Sequence, residues 1–476
     1  MPGEAYPSLG FAASLAKNPS QKEGDTKRMS PSSFGFALGY SYLWLFSLIR
    51  TFALFGCLFV TLAELNLFVP LASPKVLTFG KTQINLVFRS LNRTFAPMNK
   101  KIFDQAYAEI SCFDNGTEVT EYHVMLHVSD GSLPYREQLA AIDQAYTKLL
   151  REDLPGAKTV FKRYFLSDAY NQADAILAME CDYADYALSI IEQAPLDGTK
   201  IAVWAYLQTN VETRALHCGL HEVTHGNYRH LWNASAHNLA KNSEYQTRLL
   251  LNEYIMQLMQ EGCSLADNCI RTWFFVNDVD NNYPGVVKAR NTVFFTQNLT
   301  DETHFIASTG IGGRQADAHV LSQMDNYAVD GICKEQVHYL YAADHLNRTS
   351  DYGVSFERGT YINYGDRRHV FISGTASINN KGEIVHQGDV AAQTKHMWEN
   401  VEALLKEAGS SYDEVMQMIV YLRDIADYHT VKALYDERFP DKPKVFVHGP
   451  VCRPGWLVEM ECMAIKNVQD DAFAPF

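Results

Sequence analysis

A zinc-hydrolase pattern is the first feature of the chain that could support chemistry. His221 and His225 stand four residues apart with Glu222 between them, the spacing at which two helical histidines bind zinc and the glutamate acts as general base. The surrounding residues oppose a helix, because the intervening Val-Thr pair is β-branched and Gly226 follows at once. We therefore expect a polar hairpin here, with no metal site.

Two carboxylates near the end of the chain are a second candidate. In the stretch WLVEMECMA, strand alternation places Glu459 and Glu461 on one face and Val458 and Met460 on the other. The apolar face should pack beneath helices, so the carboxylates should face an interface between units. Burial there would raise the pKa of a carboxyl group and keep it a proton donor near neutral pH. The alternative, left open for Glu461, is that the glutamate only pairs with an arginine.

Two arginines and a serine-glycine pair are candidate ligand-binding groups. Arg453 lies in the turn before the glutamate strand, and Arg358 precedes the strand ISGTAS. A guanidinium group binds a carboxylate through two parallel hydrogen bonds, so both side chains favour a small carboxylated ligand. Ser373 and Gly374 would let a ligand approach the backbone, and their amides could bind a carboxylate. For each arginine alone, a surface ion pair is the competing interpretation.

Three similar segments supply the scaffold that would position these residues. Windows beginning at residues 159, 269 and 415 align without gaps, and each is an apolar strand that leads into an aspartate and a short helix. The three aspartates are Asp168, Asp278 and Asp424.

An amphipathic helix precedes each window, with apolar residues three and four positions apart. In the second segment the buried face should comprise Leu251, Ile255, Leu258 and Met259. Strands flank every segment, so the repeated unit is predicted as β-β-α-β-α-β with both helices on one face of a small sheet. Three such units give an α+β fold.

The first 97 residues differ from the remainder of the chain. They carry nine Lys and Arg against four Asp and Glu, whereas residues 98–476 carry 32 against 51. Residues 34–73 could span a bilayer, but Arg50 and Glu64 interrupt them. Three interpretations stay open: a membrane anchor through residues 40–64, a signal sequence, or upstream sequence translated from too early a start, with Met98 as the true one.

Charge and composition exclude several classes of function. The net charge is -14, and an acidic body opposes nucleic-acid binding, because phosphate contacts need clustered cations. Nine cysteines without a C-x-x-C pair oppose a disulfide framework or a structural zinc site and favour the cytoplasm. The turn TGIGGR at residues 309–314 lacks the spacing of a phosphate-binding loop or a dinucleotide fingerprint. We therefore expect no cofactor.

From about Tyr352 to Lys466 the chain resembles the RidA/YjgF family. The segments VFISGTAS, GDVAAQTKHMWENVEALLKEAGSSYDEVMQMIVYLRDI and VEMECMAIK follow that family's pattern in order and spacing. The resemblance implies a chorismate-mutase-like fold, trimers with ligand sites between subunits, and cofactor-free hydrolysis of reactive enamines and imines. Some family members carry the older label of endoribonuclease.

Three such units in one chain resemble a narrower branch, the chorismatases, which hydrolyse the enolpyruvyl ether of chorismate. The similar segments include IASTGIGG, YGVSFERG and VCRPGWLVEME, and the match is good in the third unit, moderate in the second and uninformative in the first. The resemblance implies a pseudo-trimer within one chain, with the helices outside. Further oligomerisation is left open.

The resemblance also assigns roles to residues. Glu459 occupies the family position that holds or activates water, so it is the candidate catalytic residue. The candidate substrate-binding residues are Arg453, Arg358, Ser373, Gly374 and Glu461. Two positions depart from the pattern: Val445 stands where RidA proteins carry the arginine that grips the substrate carboxylate, and Phe294 where chorismatases carry an arginine.

We therefore expect a cofactor-free hydrolase or lyase that releases pyruvate from a small carboxylated enol ether. A RidA-type enamine or imine hydrolase is the alternative. A non-catalytic metabolite-binding protein is the third, because the first unit shows no obvious chemistry. The predicted units span residues 98–216, 217–334 and 335–466, with the leader at 1–97 and a tail at 467–476.

Overall fold

The structure is a computed structural model that describes residues 99–180, 185–217 and 219–476. The leader predicted for residues 1–97 and the start predicted at Met98 lie outside the described residues. Among the helices of the described ranges, none is long and apolar enough to cross a membrane.

The first unit is a six-stranded sheet with two helices. Its elements are β1 (Asn99–Ile102), β2 (Ala106–Phe113), β3 (Glu121–Val128), α1 (Tyr135–Glu152), β4 (Ala157–Leu166), α2 (Ala169–Glu180), β5 (Ala187–Glu192) and β6 (Ile201–Thr209). The strand order is β1-β2-β3-β6-β4-β5. Only β4 and β5 run parallel; the other neighbours are antiparallel.

The second unit repeats this arrangement. Its elements are β7 (Glu212–Ala215), β8 (His221–His225), β9 (Tyr228–His237), α3 (Ser243–Gln260), the single turn α4 (Leu265–Asn268), β10 (Cys269–Val276), α5 (Val279–Thr296), β11 (Ala307–Gly312) and β12 (Ser322–Asp330). The strand order is β11-β10-β12-β9-β8-β7. The second sheet therefore begins at Glu212, whereas the sequence places the boundary after residue 216.

The third unit has the same order of elements. These are β13 (Val337–Leu340), β14 (Gly359–Asn363), β15 (Arg367–Ala376), α6 (Val390–Glu407), β16 (Val415–Leu422), α7 (Tyr428–Arg438), β17 (Lys444–His448) and β18 (Val458–Asn467). The strand order is β13-β14-β15-β18-β16-β17. Each unit contains the predicted β-β-α-β-α-β order with two additional strands, one before its first helix and one after its second helix.

Helices cover one face of each sheet. In α1, Leu139 and Ile142 are buried in the core of the first unit, and in α6 Met397 and Val401 are buried against the third sheet. The face predicted for α3 is partly wrong, because Met259 is 67% exposed. Its buried residues are Leu250, Leu251, Tyr254 and Leu258, which recur three and four positions apart around a slightly rotated face.

The opposite faces of the three sheets meet at the centre. Phe161 of the first sheet lies 5.1 Å from Trp232 and 6.3 Å from Trp273 of the second, measured between ring centroids. Tyr327 of the second sheet lies 5.5 Å from Phe371 of the third. Large buried aromatic side chains of this kind dominate the energy of an interface. The chain is therefore a pseudo-trimer with its helices outside, as predicted.

A buried ion pair crosses each of the three interfaces. The pairs are Arg163–Asp325 at 2.8 Å, Arg271–Glu461 at 2.7 Å and Arg367–Glu121 at 2.6 Å. All six side chains are at most 2% exposed. Removal of one partner from such a pair leaves an uncompensated charge in the interior and is strongly destabilising.

The zinc-like pattern lies in a strand. His221, Glu222 and His225 belong to β8, which forms a hairpin with β9 around Gly226, whose φ is +53°. The Glu222 carboxylate accepts hydrogen bonds from Arg214 of β7 at 2.6 Å and from Arg229 of β9 at 3.0 Å. Because side chains alternate along a strand, Glu222 points away from the two histidines. The predicted hairpin is confirmed.

Candidate active site

A narrow cleft lies between the second and third units. α5 and β11 form one wall, while the segment before β14, β15, β18 and the turn before β18 form the other. We call it the glutamate cleft, and its lining comprises Tyr283, Arg290, Ser308, Gly310, Tyr352, Val354, Phe356, Arg358, Gly374, Ala376, Ile378, Cys452, Arg453, Trp456 and Glu459. Four of the six predicted site residues line it: Glu459, Arg358, Arg453 and Gly374.

Glu459 is placed by its strand. It pairs with Tyr421 of β16 and Ala376 of β15, and its neighbours Val458 and Met460 are buried in the apolar core, as alternation predicts. The side chain is only 3% exposed and still borders the cleft. Burial, with a smaller contribution from Glu461, raises the pKa of Glu459 to about 8. The carboxyl group is therefore protonated at neutral pH.

Gly374 makes room for this carboxyl group. A Cβ atom at position 374 would lie 2.1 Å from Glu459 Oε1 and 3.1 Å from Thr309 Cγ2, so any side chain there would displace the Glu459 carboxyl group. The glycine therefore fixes where the carboxyl group sits in the cleft.

The backbone amides predicted to bind a carboxylate already have partners. Ser373 N donates to the carbonyl oxygen of Arg358 at 3.0 Å, and Gly374 N donates to Thr309 Oγ1 at 2.9 Å. The Ser373 hydroxyl donates to the carbonyl oxygen of Glu357 at 2.6 Å and accepts from Ser308 N at 2.9 Å. Both residues hold the walls of the cleft together, which leaves neither amide free for a ligand.

Glu461 is the carboxylate that pairs with an arginine. It accepts hydrogen bonds from Arg271 Nη2 at 2.7 Å, from Trp273 Nε1 at 2.8 Å and from the Thr309 hydroxyl, all of the second unit. Glu461 is 1% exposed and lies behind Glu459. It therefore joins the two units and contributes negative charge that disfavours ionisation of Glu459.

The two predicted arginines occupy different depths. Arg358 is buried and donates to Asn347, to its carbonyl oxygen at 3.0 Å and to its Oδ1 at 3.1 Å. Arg453 is exposed, and its guanidinium carbon lies 5.1 Å from the ring centroid of Tyr352 and 5.7 Å from that of Trp456. Arg453 is thus at the mouth of the cleft, held by aromatic faces.

The sequence did not single out Arg290, which is 1% exposed and lines the cleft from α5. Within the described ranges, its Nε and Nη2 atoms lack a hydrogen-bond partner, as do the Tyr352 hydroxyl and Trp456 Nε1. Buried donors without acceptors are costly in a folded protein. Their convergence on one cleft therefore indicates a ligand rich in acceptor atoms.

Arg290 lies close in sequence to Phe294, the position at which an arginine is expected from the resemblance to chorismatases. Phe294 lies in the apolar core of the second unit, and Arg290, one helical turn earlier, faces the cleft instead. The rotation of α5 about its axis decides whether position 290 or position 294 faces the cleft. The local sequence pattern alone does not determine that rotation.

The departure at Val445 concerns a different cleft. In the third unit, Ile419 pairs with Glu461 on one side and with Val445 on the other. Trp273 stands at the aligned position of the second unit, where it pairs with Asp325 on one side and with Thr309 on the other. Thr309 is therefore the counterpart of Val445 at the glutamate cleft. Val445 itself lines a cavity between the third and first units.

Comparisons with known proteins agree with this architecture. The family model described as endoribonuclease L-PSP matches residues 358–466, which lie in the third unit. The 3-aminoacrylate deaminase RutC of Acinetobacter baylyi is 34% identical over 97 residues, which are 20% of this chain and 77% of that protein. A RutC family protein of Pyrococcus abyssi is 38% identical over 101 residues, 21% of this chain and 79% of its own. The chain belongs to the RidA superfamily.

A solved structure extends the comparison beyond one unit. A chorismatase crystal structure superposes with a TM-score of 0.53, covering 66% of this chain and 95% of that chain at 18% identity. This likeness shows a shared fold across several units. Membership of the RidA superfamily is therefore confirmed, and the predicted likeness to chorismatases is confirmed at the level of the fold.

Proposed function

We propose that the chain is a cofactor-free hydrolase that cleaves the enolpyruvyl ether of a small carboxylated metabolite and releases pyruvate. The observation that carries the proposal is Glu459, a buried carboxyl group with a pKa of about 8 that borders a cleft containing arginines. A carboxyl group that stays protonated at neutral pH can act as a general acid.

The proposed reaction begins with proton transfer from Glu459 to the methylene carbon of the enolpyruvyl group. The double bond supplies the electron pair for the new C–H bond, and the ether carbon becomes an oxocarbenium ion. Water adds to that carbon and returns a proton to the Glu459 carboxylate. The resulting hemiketal then breaks its bond to the ether oxygen while its hydroxyl proton passes to that oxygen, so the rest of the substrate leaves as an alcohol and pyruvate is released.

Three arginines would hold the carboxylates of the substrate. Arg290 reaches the cleft from the second unit, and Arg358 and Arg453 reach it from the third. The unpaired donor atoms of Arg290 support anion binding, because a carboxylate would satisfy both through a forked contact. Glu461 is proposed as a positioning residue, since Arg271 and Trp273 already occupy its oxygens.

Entry of a substrate requires the cleft to open. The free volume at its centre is about 20 Å³, close to that of one water molecule, whereas ligand sites usually enclose several hundred Å³. Arg453 is the exposed part of the wall and rests on Tyr352 and Trp456. We expect these three side chains to move when a substrate binds.

A RidA-type enamine or imine hydrolase is the second candidate. The 34% identity of the third unit to a 3-aminoacrylate deaminase favours it. Thr309, which stands where an arginine is expected from the family, counts against it, because its hydroxyl is engaged by Glu461.

The two candidates release different products from different substrates. Purified protein would be incubated with chorismate, isochorismate and imines generated from amino acids, and pyruvate and ammonia would be measured separately. Glu459→Gln protein prepared in parallel is the control for contaminating enzymes. Glu459-dependent pyruvate release from chorismate or isochorismate supports the proposal. Ammonia release from the imines alone would replace it with the second candidate, and no turnover of any substrate would contradict both.

A further inference from the structure

A second cavity lies between the third and first units. Its volume is about 370 Å³. α7 and β17 form one wall, and β2, β3 and the loop before β6 form the other. We call it the His127 cleft. Its lining includes three acids, two tyrosines and a histidine: Glu109, Asp197, Asp436, Tyr107, Tyr428 and His127. It is built from the same elements of its two units as the glutamate cleft.

The strand pairings relate the two clefts residue by residue. Glu459 pairs with Tyr421, and Ala202 pairs with Phe165 at the aligned position of the first unit. Ala202 therefore stands where the glutamate cleft has its acid. The cavity between the third and first units has no counterpart of Glu459.

Two arginines of the glutamate cleft are replaced by acids. Asp436 and Arg290 each lie twelve residues beyond the aligned aspartates Asp424 and Asp278. The pairings of β2 with β3 and of β14 with β15 place Glu109 at the position of Arg358. The two positions proposed to bind anions in the glutamate cleft thus carry acidic side chains in the other cleft.

His127 lies between two of these acids. Its side chain is 7% exposed, and its ring stacks on Tyr107 with centroids 4.9 Å apart. His127 Nε2 has no hydrogen-bond partner among the residues described. Glu109 Oε2 is 4.0 Å from Nε2 and Asp197 Oδ2 is 3.9 Å from Nδ1, both beyond hydrogen-bond distance. Burial lowers the pKa of His127, which keeps the imidazole neutral at physiological pH.

The lysines around the cavity are otherwise engaged. Lys444 Nζ donates to the carbonyl oxygens of Phe439 at 3.0 Å and Lys442 at 3.2 Å. Lys432 pairs with Asp436 along α7. Lys100 is exposed and lies over the Tyr107 ring, 4.0 Å from its centroid. In the described part of the chain, no lysine or arginine side chain forms an ion pair with Glu109 or Asp197.

We propose that the His127 cleft is a second binding site, for a small organic molecule that carries a protonated primary amine. An ammonium group has three donors, and the cavity offers it acceptors in the Glu109 and Asp197 carboxylates and in the acceptor nitrogen of His127. Tyr107 and Tyr428 add ring faces that attract a cation and pack against an apolar substituent. The site is distinct from the glutamate cleft and selects the opposite charge.

Binding of two probes of matched shape tests the charge preference. Phenethylamine and hydrocinnamate share a phenyl ring on a two-carbon chain, but one ends in an ammonium and the other in a carboxylate. Calorimetric titration of the full chain should show one phenethylamine bound per chain. Hydrocinnamate should compete for this site at least about tenfold more weakly, because it meets two carboxylates. Equal affinity for the two probes, or no phenethylamine binding at millimolar concentration, overturns the proposal.

Variants locate the site. Glu109→Gln and Asp197→Asn should each weaken phenethylamine binding by about tenfold or more, since each removes a charged acceptor. Asp197 lies in a loop and is partly exposed, so its variant keeps the test valid should Glu109→Gln fail to fold. Glu137→Gln, an exposed acid on α1, is the matched control and should bind normally. Loss of binding in Glu459→Gln with normal binding in Asp197→Asn would assign the amine to the glutamate cleft and contradict the proposal.

Discussion

The glutamate cleft and the His127 cleft occupy equivalent places in the pseudo-trimer and carry opposite chemistry. The first combines a protonated carboxyl group with Arg290 and Arg358, while the second has Ala202 at the position of the acid and Asp436 and Glu109 at those of the arginines. Both clefts are built from corresponding strand pairings and from the second helix of one of their two units. The scaffold therefore does not determine the chemistry; the residues at a few aligned positions do.

The third interface, between the first and second units, differs again. Gln323 pairs with Phe275 and so corresponds to Glu459 and Ala202. Its Nε2 donates to the carbonyl oxygen of Ile190 at 3.1 Å, so the side chain joins the two units. A trimer of identical chains must repeat one site three times. Three units in one chain have allowed each interface to specialise.

The largest expected effect is on turnover. Glu459→Gln keeps the shape of the side chain and removes the proton, so kcat should fall by roughly two to four orders of magnitude while KM changes little. Gln323→Met at the corresponding position of the other interface is the matched control and should retain kcat. Steady-state kinetics on the substrate found with wild-type protein measures both. Normal kcat in Glu459→Gln, with kcat lost in Glu461→Gln, would mean that Glu461 is the acid.

The buried ion pair behind the acid should be the most sensitive to truncation. Arg271→Met removes the closer of the two buried arginines that pair with Glu461, at 2.7 Å against 3.9 Å for Arg163, and should destabilise the fold by about 3 kcal/mol. Arg423→Met removes a pair with the half-exposed Asp280 and a hydrogen bond to the carbonyl oxygen of Val451, and should cost less, about 2 kcal/mol or below. Urea denaturation compares the two variants. Equal losses would contradict the assignment of Arg271 as a structural anchor.

Burial of Glu459 should also lower stability at neutral pH. Its pKa is about 8 in the folded state and near 4.5 when exposed. The stabilisation of the folded state that comes from protonation of Glu459 is therefore fully present below about pH 4.5 and is lost as the pH rises to 8. Glu459→Gln does not titrate and should therefore be more stable than wild type at pH 8, by on the order of 3 kcal/mol. The difference should shrink toward pH 5. Melting curves at the two pH values measure it, and a constant difference would contradict the raised pKa.

The arginines should give smaller effects, on binding. Arg453→Lys replaces a forked contact at the exposed mouth and should raise KM by the equivalent of roughly 1–3 kcal/mol, with kcat nearly unchanged. Arg290→Gln should act in the same direction. Asp436→Asn, at the position of Arg290 in the His127 cleft, should leave KM unchanged. A KM change in Asp436→Asn similar to that in Arg290→Gln would show that the two clefts are coupled.

Local pattern predicted the fold but only part of the site. Period-two alternation placed Glu459 and Glu461 away from the core, and the repeat of three windows predicted the pseudo-trimer. Arg290 was missed because α5 begins after Asp278, a residue in the left-handed region with φ +46°, and this turn sets the rotation of the helix.

Contacts between units account for the other differences. Glu461 meets Arg271 and Trp273 across 190 and 188 residues of sequence, and Gly374 N meets Thr309 across 65. Spacing within a motif carries no information about such partners. The strand registers, and not the spacing of the sequence motif, likewise determine that Val445 lines the cavity between the third and first units.

The pH dependence of kcat/KM tests the central claim most directly. General-acid catalysis requires Glu459 to be protonated when it acts, so kcat/KM should be level at neutral pH and fall about tenfold per pH unit above about pH 8. The residual activity of Glu459→Gln should lack this descending limb. A wild-type profile that instead rises through about pH 4.5 and stays level to pH 10 would mean that Glu459 acts ionised, and would contradict general-acid catalysis by this residue.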